Sequence, residues 1–104
     1  MKKVRRFSYL KPGRLILVPK QGLRARSVRL LKGARMDWHS TGEREELLLV
    51  IAGSVVVSVK YLAKSGRRIP LCFGEGIFLP KATMHTVMNK SGKMTTYLYI
   101  TGRA

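Results

Sequence analysis

The chain contains two histidines, His39 and His85, and five side-chain carboxylates. Three of those carboxylates, Glu43, Glu45 and Glu46, crowd into four positions shortly after His39, and Asp37 stands two residues before it. Imidazole and carboxylate together suit a divalent first-row metal, and two imidazoles with one carboxylate leave coordination positions open for water, substrate or dioxygen. In extended chain, residues two apart project to one side, so Asp37, His39 and Thr41 are expected to face together while Trp38 and Ser40 face away. A turn at Gly42 then returns the chain, Glu46 opens the next strand, and His85 on a neighbouring strand can converge with it. Glu45 is the alternative carboxylate, but parity places it on the opposite face from Glu46.

These side chains need strands to position them, and the hydrophobic pattern has a period of two almost throughout. In residues 54–61, Val55, Val57, Val59 and Tyr61 alternate with Ser54, Val56, Ser58 and Lys60, as in a strand with one wet face. Residues 45–52 are apolar at odd and even positions alike, which predicts a strand covered on both faces, one of them by another sheet or subunit. Further short strands are expected at 14–18, 28–31, 36–40, 68–73, 76–79, 85–89 and 94–101, punctuated by Gly, Pro, Ser or Lys clusters. No helical stripe is present, so the expected class is all-β, an antiparallel sandwich or barrel. Residues 1–12 read as an arm or edge strand and 13–104 as a single barrel domain. The row Leu47, Leu49 and Ile51 predicts a homodimer, because a sandwich of this size cannot easily cover it alone.

The charge is lopsided. Against those five acids stand 21 Lys and Arg, a formal net charge of +16. Twelve of these cations precede the first carboxylate, Asp37. A cluster such as Arg24, Arg26, Arg29, Lys32 and Arg35 attracts phosphate backbones, so sequence-independent, salt-sensitive nucleic-acid binding is one expectation and a solvated surface the other. The longest purely apolar run, residues 47–52, is far below the roughly 20 residues that span a bilayer, and the basic start lacks a signal-peptide core. No membrane association and a cytoplasmic location are expected. A single cysteine, Cys72, cannot form an internal disulfide and is expected as a small buried apolar residue.

Two spaced motifs resemble those of the cupin superfamily. The first runs Gly33, five residues, His39-Ser40-Thr41, four residues, Glu46, six residues, Gly53, and lacks only the second histidine, replaced by Thr41. The second runs Gly74, five residues, Pro80-Lys81-Ala82, two residues, His85, three residues, Asn89, with Ala82 where the family has glycine. The resemblance covers residues 33–89 and implies an antiparallel double-stranded β-helix, or jelly-roll barrel. It makes His39, Glu46 and His85 the metal-ligand candidates for a divalent transition metal (Mn, Fe, Ni, Cu or Zn), with Asp37 and Thr41 at the pocket or on a metal-bound water. Gly33, Gly53, Gly74, Pro80 and Asn89 read as structural, and Ala82 is strained if its position demands positive φ. Tyr97 and Tyr99 share a face, and they read, with Met84, Met88 and Met94, as packing residues. The functions implied are a metal-dependent enzyme acting on a small molecule, a metal-free small-ligand or sensor module, and a nucleic-acid-associated protein; fold does not choose among them.

Overall fold

The computed structural model describes residues 6–15, 22–60 and 66–103. Nine strands are found among them: β1 (Gly13–Arg14), β2 (Arg24–Leu30), β3 (His39–Ser40), β4 (Arg44–Ala52), β5 (Ser54–Lys60), β6 (Arg67–Cys72), β7 (Gly76–Leu79), β8 (Met84–Met88) and β9 (Thr95–Arg103). They form two sheets, β1-β2-β9-β4-β7 and β3-β8-β5-β6, and every pairing is antiparallel. This is the expected all-β architecture.

Alternation builds the core. On β5, Val55, Val57 and Val59 are buried and meet Leu48 and Val50 of β4, Leu30 of β2, Leu71, Leu79, Val87 and Tyr97 in one cluster. Each such aliphatic side chain removed from water contributes about 1.5–3 kcal/mol, which is what draws the two sheets together. The opposite face of β4 is different. Leu47 is 46% and Leu49 36% exposed, beside Phe78 of β7 at 53%, so no sheet among the described residues covers this row.

Several boundaries differ from the sequence expectation. β2 begins four residues earlier than Val28, at Arg24, because β9 is long enough to pair with it as far as Arg24↔Thr101. Of 36–40 only His39–Ser40 is strand; Met36–Trp38 lies outside the ladder, and Arg35 makes an isolated bridge to Met88. Most of the expected strand at 14–18, together with Tyr61, falls outside the described residues. The described part of the N-terminal arm, residues 6–12, is not strand. It lies along β2, with Tyr9 O accepting from Ser27 Oγ at 2.9 Å and Leu10 O accepting from Arg29.

Cys72 is exposed rather than buried, since Leu71 takes the inward position on β6, and its Sγ donates to Glu75 Oε1 at 3.0 Å. Met84 and Met94 are 39% and 48% exposed and do not fill the barrel. Met84 and Met88 alternate with the inward His85 and Val87, so strand parity turns them out.

Asn89 ties the end of β8 to its surroundings. Its Nδ2 donates to the carbonyls of Leu30, Leu31 and Lys93, and its Oδ1 accepts from Ser91 N and Oγ, all with the residue buried. Gly53, between β4 and β5, has φ 79°, and a Cβ there would stand 2.8 Å from Thr95 Oγ1. Backbone conformation and space therefore both select glycine. Ala82 holds φ 57°, so its position does demand the left-handed region that glycine would adopt without strain.

Candidate functional site

Between the sheets lies a cavity of about 830 Å³. His39 on β3 and His85 on β8 are direct cross-strand partners, and their ring centroids lie 4.2 Å apart at 59°. Glu46 on β4, opposite Thr101 of β9, faces the same cavity with its neighbours Leu48 and Val87. Glu45 has the other parity and does not line it, which favours Glu46 as the site carboxylate.

Each imidazole is oriented by the backbone carbonyl two residues before it. His39 Nδ1 contacts Asp37 O at 2.9 Å and His85 Nδ1 contacts Thr83 O at 3.0 Å. A carbonyl can only accept, so each Nδ1 carries the proton and each Nε2 is the nitrogen left for chemistry. His85 Nε2 is buried without a hydrogen-bond partner, in ion-pair contact with Glu46 Oε2 at 3.5 Å. Burial by itself pushes the His85 pKa down, but the Glu46 carboxylate and the Thr83 carbonyl outweigh it and hold the imidazole above its ordinary 6.5.

The other candidates fare differently. Thr41 lines the cavity, but its hydroxyl donates to Pro80 O at 2.7 Å and accepts from Thr83 N at 3.0 Å, so it fastens the β3 end to the loop before β8. Asp37 does not face the cavity. It is exposed and lines a separate surface cleft with Gly33, Arg35, Met88, Asn89 and Lys90. The parity argument fails for it because Met36–Trp38 is not extended ladder, and only its backbone carbonyl serves the site. Among the described residues, no group of three or more His, Cys, Asp or Glu side chains is arranged to hold a metal ion.

Tyr97 and Tyr99 both line the cavity, and Tyr97 is also core. Sequence reasoning missed the arginines: Arg14, Arg24, Arg26 and Arg44 all contribute to the lining. Arg24 and Arg26 have the parity of the core residues Val28 and Leu30, a signal hidden by starting the strand at Val28. Arg44 Nε donates to Thr101 Oγ1 at 2.8 Å and its Nη2 to Thr101 O at 3.1 Å and to Gly22 O. Desolvation, then the positive charges of Arg24 and Arg103, pull the Arg44 pKa below the usual arginine value, a sign of crowded cations.

No protein-family profile and no curated protein matches the chain. Solved structures do. An uncharacterized conserved protein with a double-stranded β-helix domain from Klebsiella pneumoniae superposes with a TM-score of 0.80 at 14% identity, covering 97% of this chain and 91% of that one. The cupin domain of Schizosaccharomyces pombe Cnp3 gives 0.75 at 11% identity, covering 86% of this chain and 58% of that one. Oxalate oxidase in complex with the substrate analogue glycolate gives 0.73 at 18% identity, covering 79% and 42%. The chain thus spans about half the length of the last two. With two antiparallel sheets enclosing the cavity and paired histidines on adjacent strands, these likenesses identify the chain's architecture as a cupin-type double-stranded β-helix.

Proposed function

We propose that this chain is a small cupin module that binds one divalent transition-metal ion through His39, His85 and Glu46 and receives a small molecule in the same cavity. The observation that carries this reading is the pair of imidazoles anchored through Nδ1 by the Asp37 and Thr83 carbonyls, with His85 Nε2 buried and unsatisfied. Metal-ligating histidines are held in this way by a second group on the other ring nitrogen. Two donors on one tetrahedral ion, each about 2.1 Å from it, stand about 3.4 Å apart. The 3.5 Å between His85 Nε2 and Glu46 Oε2 suits that spacing, and His39, the cross-strand partner of His85, would supply the third donor. A bound ion would supply Lewis-acid polarisation of a ligand oxygen. The chain's own contribution is to orient the two imidazoles through Nδ1 and to wall the cavity with Leu48, Val87 and Tyr97.

The test is elemental analysis after exposure to Mn, Fe, Co, Ni, Cu and Zn in turn. Uptake of about one ion per subunit, lost in the His39→Ala/His85→Ala variant, is expected. Equal uptake by wild type and double variant removes the metal. The reading that then stands is a metal-free ligand-binding module, favoured by the commitment of the Thr41 hydroxyl to Pro80 and Thr83.

The partner proposed for the outer face of β4 is a second copy of the chain. Leu47, Leu49 and Phe78 form an exposed apolar, uncharged row on a protein that otherwise repels its own copies through a +16 charge.

A further inference from the structure

The cavity is electrostatically unbalanced. Among the described residues, Arg14, Arg24, Arg26 and Arg44, the last hydrogen-bonded to Thr101, line it with one side-chain carboxylate, Glu46, which is in contact with His85. All five side-chain carboxylates of the chain lie among the described residues, and none of them is within ion-pair distance of Arg14, Arg24 or Arg26. The three arginines are neighbours by register: Arg14 pairs with Arg26 across β1 and β2, and Arg24 stands two residues from Arg26 on the same face of β2. All three are solvent-exposed residues at the cavity, so their charge is open to an incoming anion.

We propose that this arginine cluster is the anion-recognition end of the cavity, and that the ligand is a small organic acid whose carboxylate or phosphate sits between Arg24 and Arg26. The proposal rests on reading the barrel cavity as a ligand site and names the class of ligand. Guanidinium is the group suited to bidentate capture of an oxyanion. The opposite end of the ligand is set by the ladder. Arg24 pairs with Thr101, and Thr101 with Glu46, so two strand spacings, about 10 Å, separate the arginine row from the histidine–glutamate end. Between them on β9 stand Thr101 and Tyr99, with Leu48 beside Glu46 on β4, and these uncharged side chains fit a short ring or chain rather than a second charge. An acid with an anionic head and a compact apolar body, its far end near His39 and His85, matches this order of groups. The cavity volume of about 830 Å³ holds a molecule of that size.

Titration calorimetry at about 150 mM salt separates the alternatives, with benzoate, phenyl phosphate and the neutral isostere benzamide as probes. Either acid is expected to bind wild type more tightly than benzamide by about tenfold or more, the scale of one charge-assisted hydrogen bond. Preference for benzoate or for phenyl phosphate identifies the oxyanion. Arg24→Gln/Arg26→Gln should lose about that factor, and Arg67→Gln/Arg68→Gln, on exposed β6 positions outside the cavity, should not. Equal binding of benzamide, no binding of either acid, or an equal loss in the β6 variant overturns the proposal. So does competition in which a single-stranded oligonucleotide alone displaces the acids, which would assign the arginines to nucleic acid. Metal uptake measured in parallel keeps the two readings apart. Normal uptake in Arg24→Gln/Arg26→Gln with no anion preference in wild type overturns the anion end alone; equal metal uptake by wild type and His39→Ala/His85→Ala, with the anion preference intact, removes the metal alone.

Discussion

His39 and His85 face each other as cross-strand partners, ring centroids 4.2 Å apart, each imidazole tied through Nδ1 to a carbonyl two residues upstream. The same local device, repeated on two adjacent strands, gives both rings the same free nitrogen. Neither ring can change tautomer without losing its carbonyl bond, so the pair is prepared for a cation or a proton at Nε2.

Protonation of His85 should be visible in stability. Its folded pKa is raised above 6.5, so the contact with Glu46 contributes fully below that value and is lost as pH rises through the raised folded pKa. Thermal unfolding of wild type and Glu46→Gln should differ most in mild acid and converge above neutral pH. A gap independent of pH would show that Glu46 does not stabilise the imidazolium. Metal uptake runs the other way, strengthening as the proton leaves.

Thr41 separates structure from site. Thr41→Val removes bonds to Pro80 O and from Thr83 N and should cost about 1–3 kcal/mol in denaturant unfolding, with metal stoichiometry unchanged. Unaltered stability with altered metal binding would return the hydroxyl to a role at the ion. Thr41→His, which places a third histidine at the cavity, forfeits the same two bonds, so any gain in metal affinity should come with lower stability.

Ala82→Gly should stabilise the protein by about 1 kcal/mol, because glycine adopts φ 57° without the steric cost alanine bears. The bond from Ala82 N to Gly42 O at 2.8 Å needs no side chain and is retained. A lower melting temperature in the variant would show that the left-handed backbone is not a strain.

At the alkaline end, Tyr97 dominates. Burial first, then the charges of Glu46 and Tyr99, push its pKa well above the ordinary 10. Unfolded Tyr97 ionises near pH 10 while the folded residue keeps its proton, so stability is full below that pH and falls as pH rises beyond it. Tyr97→Phe should flatten part of that fall, measured by unfolding midpoints from about pH 9 to about pH 11.

For the outer face, light scattering should give a dimer for wild type and a monomer for Leu47→Glu/Leu49→Glu. Both side chains are exposed, so circular dichroism should report an unchanged fold. A wild-type monomer at micromolar concentration defeats the second-copy assignment.

Strand alternation was enough to read the all-β class and the inward face of β5, because each depends on intervals of a few residues; that His39 and His85 are cross-strand partners, 46 residues apart, is decided by the pairing of β3 with β8. The spacing also flagged Ala82 as a position of strain. Asp37 went astray because parity holds only where the chain is in a ladder, and Met36–Trp38 is not. Thr41 kept its place but gave its hydroxyl to Pro80 and Thr83, partners 39 and 42 residues away that local pattern cannot supply. The arginines are the clearest case. In the sequence Arg24 and Arg26 belong to a basic tract that reads equally as surface or as nucleic-acid contact. Pairing with β9 settled their direction: a strand's side chains acquire an inside only when a partner sheet encloses it, and here that sets Arg24 and Arg26, though not Arg29, Lys32 or Arg35, along the cavity.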